Sequence, residues 1–115
     1  MTFEEEYKLK QERTLRIVER NKKAIELEKL GRNDESKIDE AIKLYEENIS
    51  EESGGNHPYD RLAIIYRKRK QYDEEIRVLK KAIDVFTSLT RPDAVKKLAK
   101  FKERLEKVQE IKNNN

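Results

Sequence analysis

An internal repeat with an offset of 34 residues constrains the fold of this chain more than any other feature. Residues 38–49 read IDEAIKLYEENI, and residues 72–83 read YDEEIRVLKKAI. The two segments are identical at four of their twelve aligned positions, which are Asp39/Asp73, Glu40/Glu74, Ile42/Ile76 and Ile49/Ile83. A repeat of this length with helical patterning is typical of helix–turn–helix solenoids, in which each hairpin buries its apolar faces against its neighbours.

Apolar residues recur at helical spacing throughout the repeated region. One helix face collects residues at i, i+3, i+4 and i+7, namely Tyr59, Leu62, Ala63 and Tyr66. The next helix has two apolar faces, one with Tyr72, Ile76, Leu79, Ile83 and Phe86 and the other with Val78, Ala82 and Val85. We expect the most buried side chains to include Leu62, Tyr66, Ile76, Leu79 and Ile83. A last stripe opposed by polar residues predicts a capping helix: Ala94, Leu98, Phe101, Leu105 and Val108.

Glycine, proline and capping residues divide the chain into five predicted helices, over 3–30, 37–50, 58–70, 72–87 and 92–111. Thr2 and Glu5 have the spacing of a capping box, Gly31 ends the first helix, and Ser36 is expected to open the second. The predicted fold is therefore all-α, a solenoid of two helical hairpins and a C-terminal capping helix. We predict a single domain over 1–112, with repeats at about 15–50 and 57–87, a capping helix at about 92–111 and a frayed tail at 113–115.

The composition excludes several kinds of site. The chain has no cysteine and one histidine, His57, which excludes disulfide frameworks, thiolate zinc sites and clusters of histidine ligands. No apolar run approaches the length of a membrane span, and the N-terminus lacks the apolar core of a signal peptide. No glycine-rich phosphate loop, Gly-x-Ser-x-Gly or His-Glu-x-x-His pattern occurs. We therefore expect a cytoplasmic, non-catalytic protein that contacts no membrane and has no cofactor or metal.

Charge is distributed unevenly along the chain. Residues 1–57 carry 11 basic and 15 acidic residues, whereas residues 58–115 carry 16 basic and 9 acidic residues. The difference has three interpretations: solvated helix faces, a basic half that attracts nucleic acid or an acidic partner, or an acidic half of one copy that meets the basic half of another.

The sharpest basic cluster is the run Arg67, Lys68, Arg69 and Lys70. It could contact a phosphate backbone. It could equally be the solvated end of a helix, where cations offset the helix dipole.

The repeated region resembles the tetratricopeptide repeat (TPR) family over roughly residues 20–87. The match rests on Leu62, Ala63 and Tyr66 in a first helix, on Tyr72, Asp73, Glu74, Ile76 and Ala82 in a second helix, and on Asp39–Ile42 and Asn48 in the preceding repeat. Glu75 stands where the family places alanine, Lys70 where it turns on glycine, and Thr87 where it often has proline. Residues 57–79 also resemble small uncharacterised repeat proteins of Gram-positive bacteria and their phages.

The resemblance implies a scaffold or adaptor that holds another protein or a peptide in a groove lined by the first helix of each hairpin. The groove residues it implies are Asp60, Ile64, Arg67 and Lys68 in the second repeat and Asn21, Ile25, Glu28 and Lys29 in the first. Asp60 and Ile64 stand where the family's clamp for a peptide carboxylate needs lysine and asparagine, so that clamp is not expected. Nucleic-acid binding through the basic half and self-association are the alternative functions. Ile64 either marks a contact surface or packs against a neighbouring helix.

The long first helix predicts self-association. Its apolar residues fall around much of the helix circumference, which one neighbouring helix cannot cover. Either this segment folds back as two helices, or its outer face meets a second molecule. A two-fold homodimer through this helix closes on itself, whereas a head-to-tail contact forms an open chain. We therefore favour the dimer.

Overall fold

The protein is all-helical in the computed structural model, which describes residues Met1–Asn114. Its elements are α1 (Phe3–Leu30), a 3-10 turn at Gly31–Asn33, α2 (Glu35–Ser50), α3 (His57–Lys68), α4 (Tyr72–Thr87) and α5 (Pro92–Asn113). No strand occurs in this part of the chain. The all-α class is confirmed, and the helices begin and end within two residues of the predicted positions. Asn115, the last residue of the predicted tail, lies outside the described residues.

The contacts between helices group the chain into two compact units. The first is Met1–Ser53 and holds α1 and α2, and the second begins at Gly54 and holds α3, α4 and α5. In the second unit α4 packs against both α3 and α5. The single repeat domain over residues 1–112 stays a prediction.

In the first unit, α1 and α2 form an antiparallel hairpin around a small core of Ala24, Leu27, Ala41, Tyr45 and Ile49. The alternative of two folded-back segments is wrong, because α1 is one continuous helix of 28 residues. Thr2 caps it by accepting a hydrogen bond from the Glu5 N–H at 3.2 Å, and the Thr2 hydroxyl donates to Glu5 Oε1 at 3.1 Å, which confirms Thr2 as the N-cap. Because α2 has only 16 residues, α1 extends beyond it, and every residue from Met1 to Arg16 is exposed.

The turn between α1 and α2 depends on a close approach at Gly31. A Cβ at this position would come within 2.8 Å of Ile38 Cγ1, so a larger residue would displace the Ile38 side chain from the turn. The second helix is capped by Asp34 and not by Ser36 as predicted, because the Asp34 carboxylate accepts from the Ser36 N–H at 3.0 Å and from its hydroxyl at 2.6 Å. These hydrogen bonds from Ser36 hold the pKa of Asp34 below its usual value.

A polar cluster joins α1 to the end of α2. Asn48 is fully buried, and its Nδ2 donates to the Ile17 carbonyl at 3.0 Å and to Asn21 Oδ1 at 2.8 Å. Arg20 donates to Asn48 Oδ1 at 3.3 Å and to Glu51 Oε2 at 2.5 Å. Since these hydrogen bonds form only in one register, the cluster fixes how the two helices are aligned.

An aromatic cluster forms the centre of the second unit. Tyr59, Phe86 and Phe101 come from α3, α4 and α5, and their rings meet edge to face with centroids 5.1–6.0 Å apart. Edge-to-face contacts of this kind add to the free energy of burial. Ala94 and Val108 flank Phe101 on the buried face of α5, whereas Leu98 and Leu105, the other two residues of the predicted stripe, are half-buried.

The buried face of α4 differs in part from the predicted one. Leu62, Tyr66 and Leu79 are buried as expected, but Ile76 and Ile83 are only half-buried. The buried face of α4 is centred on Leu79 and also includes Val78, Ala82, Val85 and Phe86. Because α4 packs against both α3 and α5, the face between these neighbours is buried, and it includes the stripe of Val78, Ala82 and Val85, none of which was expected among the most buried residues.

Two helices end on a left-handed residue that is not glycine. After α3, Lys70 has φ 59°, its N–H donates to the Arg67 carbonyl at 2.9 Å, and the Gln71 N–H donates to the Tyr66 carbonyl at 2.8 Å. This hydrogen-bond pattern is a Schellman motif, which normally places glycine at this position. Glu52, with φ 57°, has the same role after α2.

Candidate binding groove

Three helices of the second unit surround an open cavity of about 330 Å³. It is lined by Ala63, Ile64, Arg67 and Lys68 from α3, Glu75 from α4 and Arg104 from α5. Ile64, Arg67 and Lys68 are three of the four groove residues implied for the second repeat. The structure therefore brings these three residues together at one concavity, which we call the α3 groove.

Ile64 is the apolar part of the α3 groove. Its side chain is 43% exposed, although the neighbouring Leu62, Ala63 and Ile65 are buried. The structure thus favours the contact-surface interpretation of Ile64 over packing against another helix. An exposed isoleucine inside a concavity can be removed from water only by a ligand, which gives it a favourable contribution to binding.

Arg67 is held in place by a buried partner. Glu75 is only 2% exposed, and its carboxylate accepts from Arg67 Nε at 3.1 Å through Oε1 and from Arg67 Nη2 at 2.7 Å through Oε2. The fork of the guanidinium and the two carboxylate oxygens match in a bidentate pair. The charge of Arg67 is therefore largely neutralised within the protein, and this cation is poorly placed to capture a phosphate.

A second cavity of about 260 Å³ adjoins the groove at Arg104. It is lined by Asn56, Asp60, Asp93, Lys96, Lys97, Lys100, Phe101 and Arg104. The Asp60 carboxylate accepts hydrogen bonds from Arg104 Nη1 and Asn56 Nδ2, both at 2.5 Å. Lys97 Nζ donates to Asn56 Oδ1, also at 2.5 Å. These contacts tie α3 to α5, so the fourth implied groove residue, Asp60, acts as an internal partner of Arg104.

The two cavities together are basic. Six cationic and three acidic side chains line them. Within residues 1–114, Lys68, Lys96 and Lys100 form neither an ion pair nor a side-chain hydrogen bond. These three lysines are the cations available to a ligand.

The groove residues implied for the first repeat lie on α1. The side chains of Asn21 and Glu28 point towards α2. Asn21 Oδ1 accepts a hydrogen bond from Asn48 Nδ2, and the Glu28 carboxylate accepts one from the Tyr45 hydroxyl at 2.6 Å. Ile25 is half-buried and Lys29 is exposed. Asn21 and Glu28 therefore hold the α1–α2 hairpin together.

The basic run at the end of α3 does not form a single surface. Arg67 pairs with Glu75, Lys68 lies on the rim of the groove, Arg69 is half-buried, and Lys70 occupies the left-handed position of the turn. His57 is the first residue of α3 and is half-buried, so it opens this helix.

Sequence reasoning missed the contribution of α5. Lys96, Lys100 and Arg104 follow one another at spacings of four residues, which puts them on one helix face. That spacing was a usable signal, but only the packing of α5 places this face beside the α3 groove.

No family model, no curated protein and no solved structure matches this chain. None of the helices in residues 1–114 combines the length and the apolar character needed to cross a membrane.

Proposed function

We propose that the chain is a non-catalytic, TPR-like interaction module whose α3 groove binds an acidic peptide segment carrying one large apolar side chain. The observation that carries the proposal is the exposure of Ile64 inside a concavity whose available charges are all positive. The apolar side chain of the ligand would cover Ile64, and its carboxylates would lie near Lys68, Lys96 and Lys100.

The charges of the groove support a peptide over a nucleic acid. Arg67 and Arg104 are paired with Glu75 and Asp60, and Lys97 donates to Asn56, which leaves three lysines for the ligand. Specific nucleic-acid binders commonly neutralise about 6–10 phosphates, and each one steepens the salt dependence of the affinity.

An array of short acidic peptides, each with a single leucine or phenylalanine, tests the proposal, and fluorescence anisotropy then gives the affinity of the best binder. Ile64→Asp should weaken binding by about tenfold or more, which corresponds to about 1.4 kcal/mol. Val95→Asp is the matched control, because Val95 is also an exposed apolar residue but does not line either cavity.

Charge reversal at Lys68 gives an independent measurement. Lys68→Glu should weaken the binding of the acidic peptide, whereas Lys102→Glu, at an exposed position of α5 outside both cavities, should leave it unchanged. Equal losses for Ile64→Asp and Val95→Asp would refute the groove as the binding site. Tighter binding of a single-stranded oligonucleotide than of any peptide, with loss on Lys68→Glu, would favour nucleic-acid binding instead.

A further inference from the structure

The first half of α1 has no neighbour in the hairpin to which it belongs. The end of α2 meets α1 at Arg16 and Arg20, and the residues before Arg16 are exposed on all sides. At 1.5 Å per residue, the part from Phe3 to Arg16 extends about 20 Å past α2. A helix of this length gains little stability from its own hydrogen bonds in water, so a packing partner would stabilise it substantially.

The protruding segment carries an apolar ridge. Phe3, Tyr7 and Leu15 lie on a row with steps of four residues, with Gln11 between them and Val18 beside its end. Phe3 is 82% exposed and Leu15 is 63% exposed, and the Phe3 and Tyr7 rings stack with centroids 6.4 Å apart. Ridges with this four-residue step are the rows that interdigitate when two helices pack together.

The charges of the segment match those of a second copy in the antiparallel direction. The first turn holds Glu4, Glu5 and Glu6, and the basic residues Lys8, Lys10 and Arg13 follow in the next turns. Two parallel copies would place acidic turn against acidic turn. Two antiparallel copies that meet at Gln11 place Glu6 of each helix level with Arg16 of the other and Lys10 level with Glu12, and this arrangement has a two-fold axis and closes.

We infer that the N-terminal segment of α1, residues 3–18, pairs with the same segment of a second copy as an antiparallel two-fold dimer. The axis passes near Gln11, the middle of the apolar ridge, so that Tyr7 of each copy faces Leu15 of the other. Two aromatic and two aliphatic side chains per copy bury on the order of 1,000 Å² in total, at the lower end for a specific interface. The dimer is therefore weak, with dissociation in the micromolar range.

Sedimentation equilibrium over a range of protein concentrations tests the dimer. The wild-type chain should approach twice its monomer mass at roughly 100 µM, and Tyr7→Asp/Leu15→Asp should stay monomeric with an unchanged helical circular dichroism spectrum. Val95→Asp is again the control and should dimerise like the wild type. A wild-type protein that stays monomeric at this concentration overturns the inference.

Charge variants test the pairing without altering the apolar ridge. Glu4→Lys/Glu6→Lys and Arg16→Glu should each weaken the homodimer, and a mixture of the two should form a heterodimer, because Glu6 of one copy is level with Arg16 of the other. If Lys68→Glu, in the α3 groove, abolishes the dimer as strongly as these variants do, the segment docks in the groove of the second copy and the self-pairing is wrong. Variants of the α3 groove that lose peptide binding should still form the dimer. The proposed function and the dimer can therefore be refuted independently.

Disulfide cross-linking tests the direction, because the natural chain has no cysteine. Glu4→Cys mixed with Glu19→Cys should cross-link readily, since the two positions lie opposite each other around an axis near Gln11. Glu4→Cys alone should cross-link poorly. Efficient cross-linking of Glu4→Cys with itself would mean a parallel pair and would overturn the antiparallel arrangement.

Discussion

Removing one partner of the Arg67–Glu75 ion pair should destabilise the protein by an amount that depends on which partner is removed. The Glu75 side chain is 2% exposed, whereas that of Arg67 is 36% exposed. Arg67→Met leaves a carboxylate inside the protein without a countercharge. Glu75→Leu leaves a guanidinium that can turn towards solvent, and it fills the buried space with an apolar side chain of similar size.

The expected magnitudes follow from this difference in burial. Breaking a buried pair by removing one charge costs about 3–5 kcal/mol, whereas replacing both charges by apolar groups of similar volume is often neutral. Because Arg67 lies at the rim of the groove, water can reach this position. We therefore expect the loss of stability for Arg67→Met to be at the lower end of this range, about 3 kcal/mol. Glu75→Leu and the double variant Arg67→Met/Glu75→Leu should each lie within about 1 kcal/mol of the wild type.

Urea denaturation followed by circular dichroism gives the three free energies and hence a double-mutant cycle. A coupling energy of about 2–3 kcal/mol is expected, with the double variant more stable than Arg67→Met alone. If Glu75→Leu proved more destabilising than Arg67→Met, or if the two single effects added, the reasoning from burial would be refuted.

Three further predictions concern other parts of the chain. Lys70→Gly should raise the stability by up to about 1 kcal/mol, because glycine adopts the left-handed conformation without strain, whereas Lys70→Ala should change it little; thermal unfolding measures both. Leu79→Ala should cost about 2–5 kcal/mol in urea denaturation and Ile83→Ala clearly less, since Leu79 is fully buried and Ile83 is not; equal costs would contradict the observed face of α4. Hydrogen bonds from Arg20 and Arg16 hold the pKa of Glu51 below its ordinary value of 4.5. The stabilisation that these hydrogen bonds give the folded protein should therefore be present above about pH 4.5 and be lost as the pH falls through the lowered pKa. Glu51→Gln should remove this part of the acid dependence of the urea midpoint.

The helices could be predicted from the sequence because their signals are local. Apolar spacing, Gly31, Pro58 and Pro92 mark where each helix lies, and none of these signals depends on tertiary packing. The cap of α2 was wrongly predicted at Ser36, since Asp34 and Ser36 are both good capping residues and only the backbone geometry selects Asp34.

The buried face of α4 and the charges of the groove could not be predicted in the same way. Two apolar stripes on α4 competed, and the positions of α3 and α5 decide between them. Glu75 stands where the family that the chain resembles places alanine, and it can be buried because Arg67, one helix away, supplies its countercharge. Such a partner follows from tertiary packing and not from spacing along one helix.

Under the proposed function, the pairing of charges within the groove would determine how its peptide ligand is selected. Arg67 and Arg104 are fixed by carboxylates, so they shape the walls of the cavity but contribute little net attraction. Lys68, Lys96 and Lys100 have flexible side chains with compact, hydrated charges, which attract carboxylates without demanding one geometry. Electrostatic attraction of this kind mainly speeds association. Burial of Ile64 would then supply most of the affinity, so the groove would distinguish its ligands chiefly by the apolar side chain and would tolerate variation in the acidic residues around it.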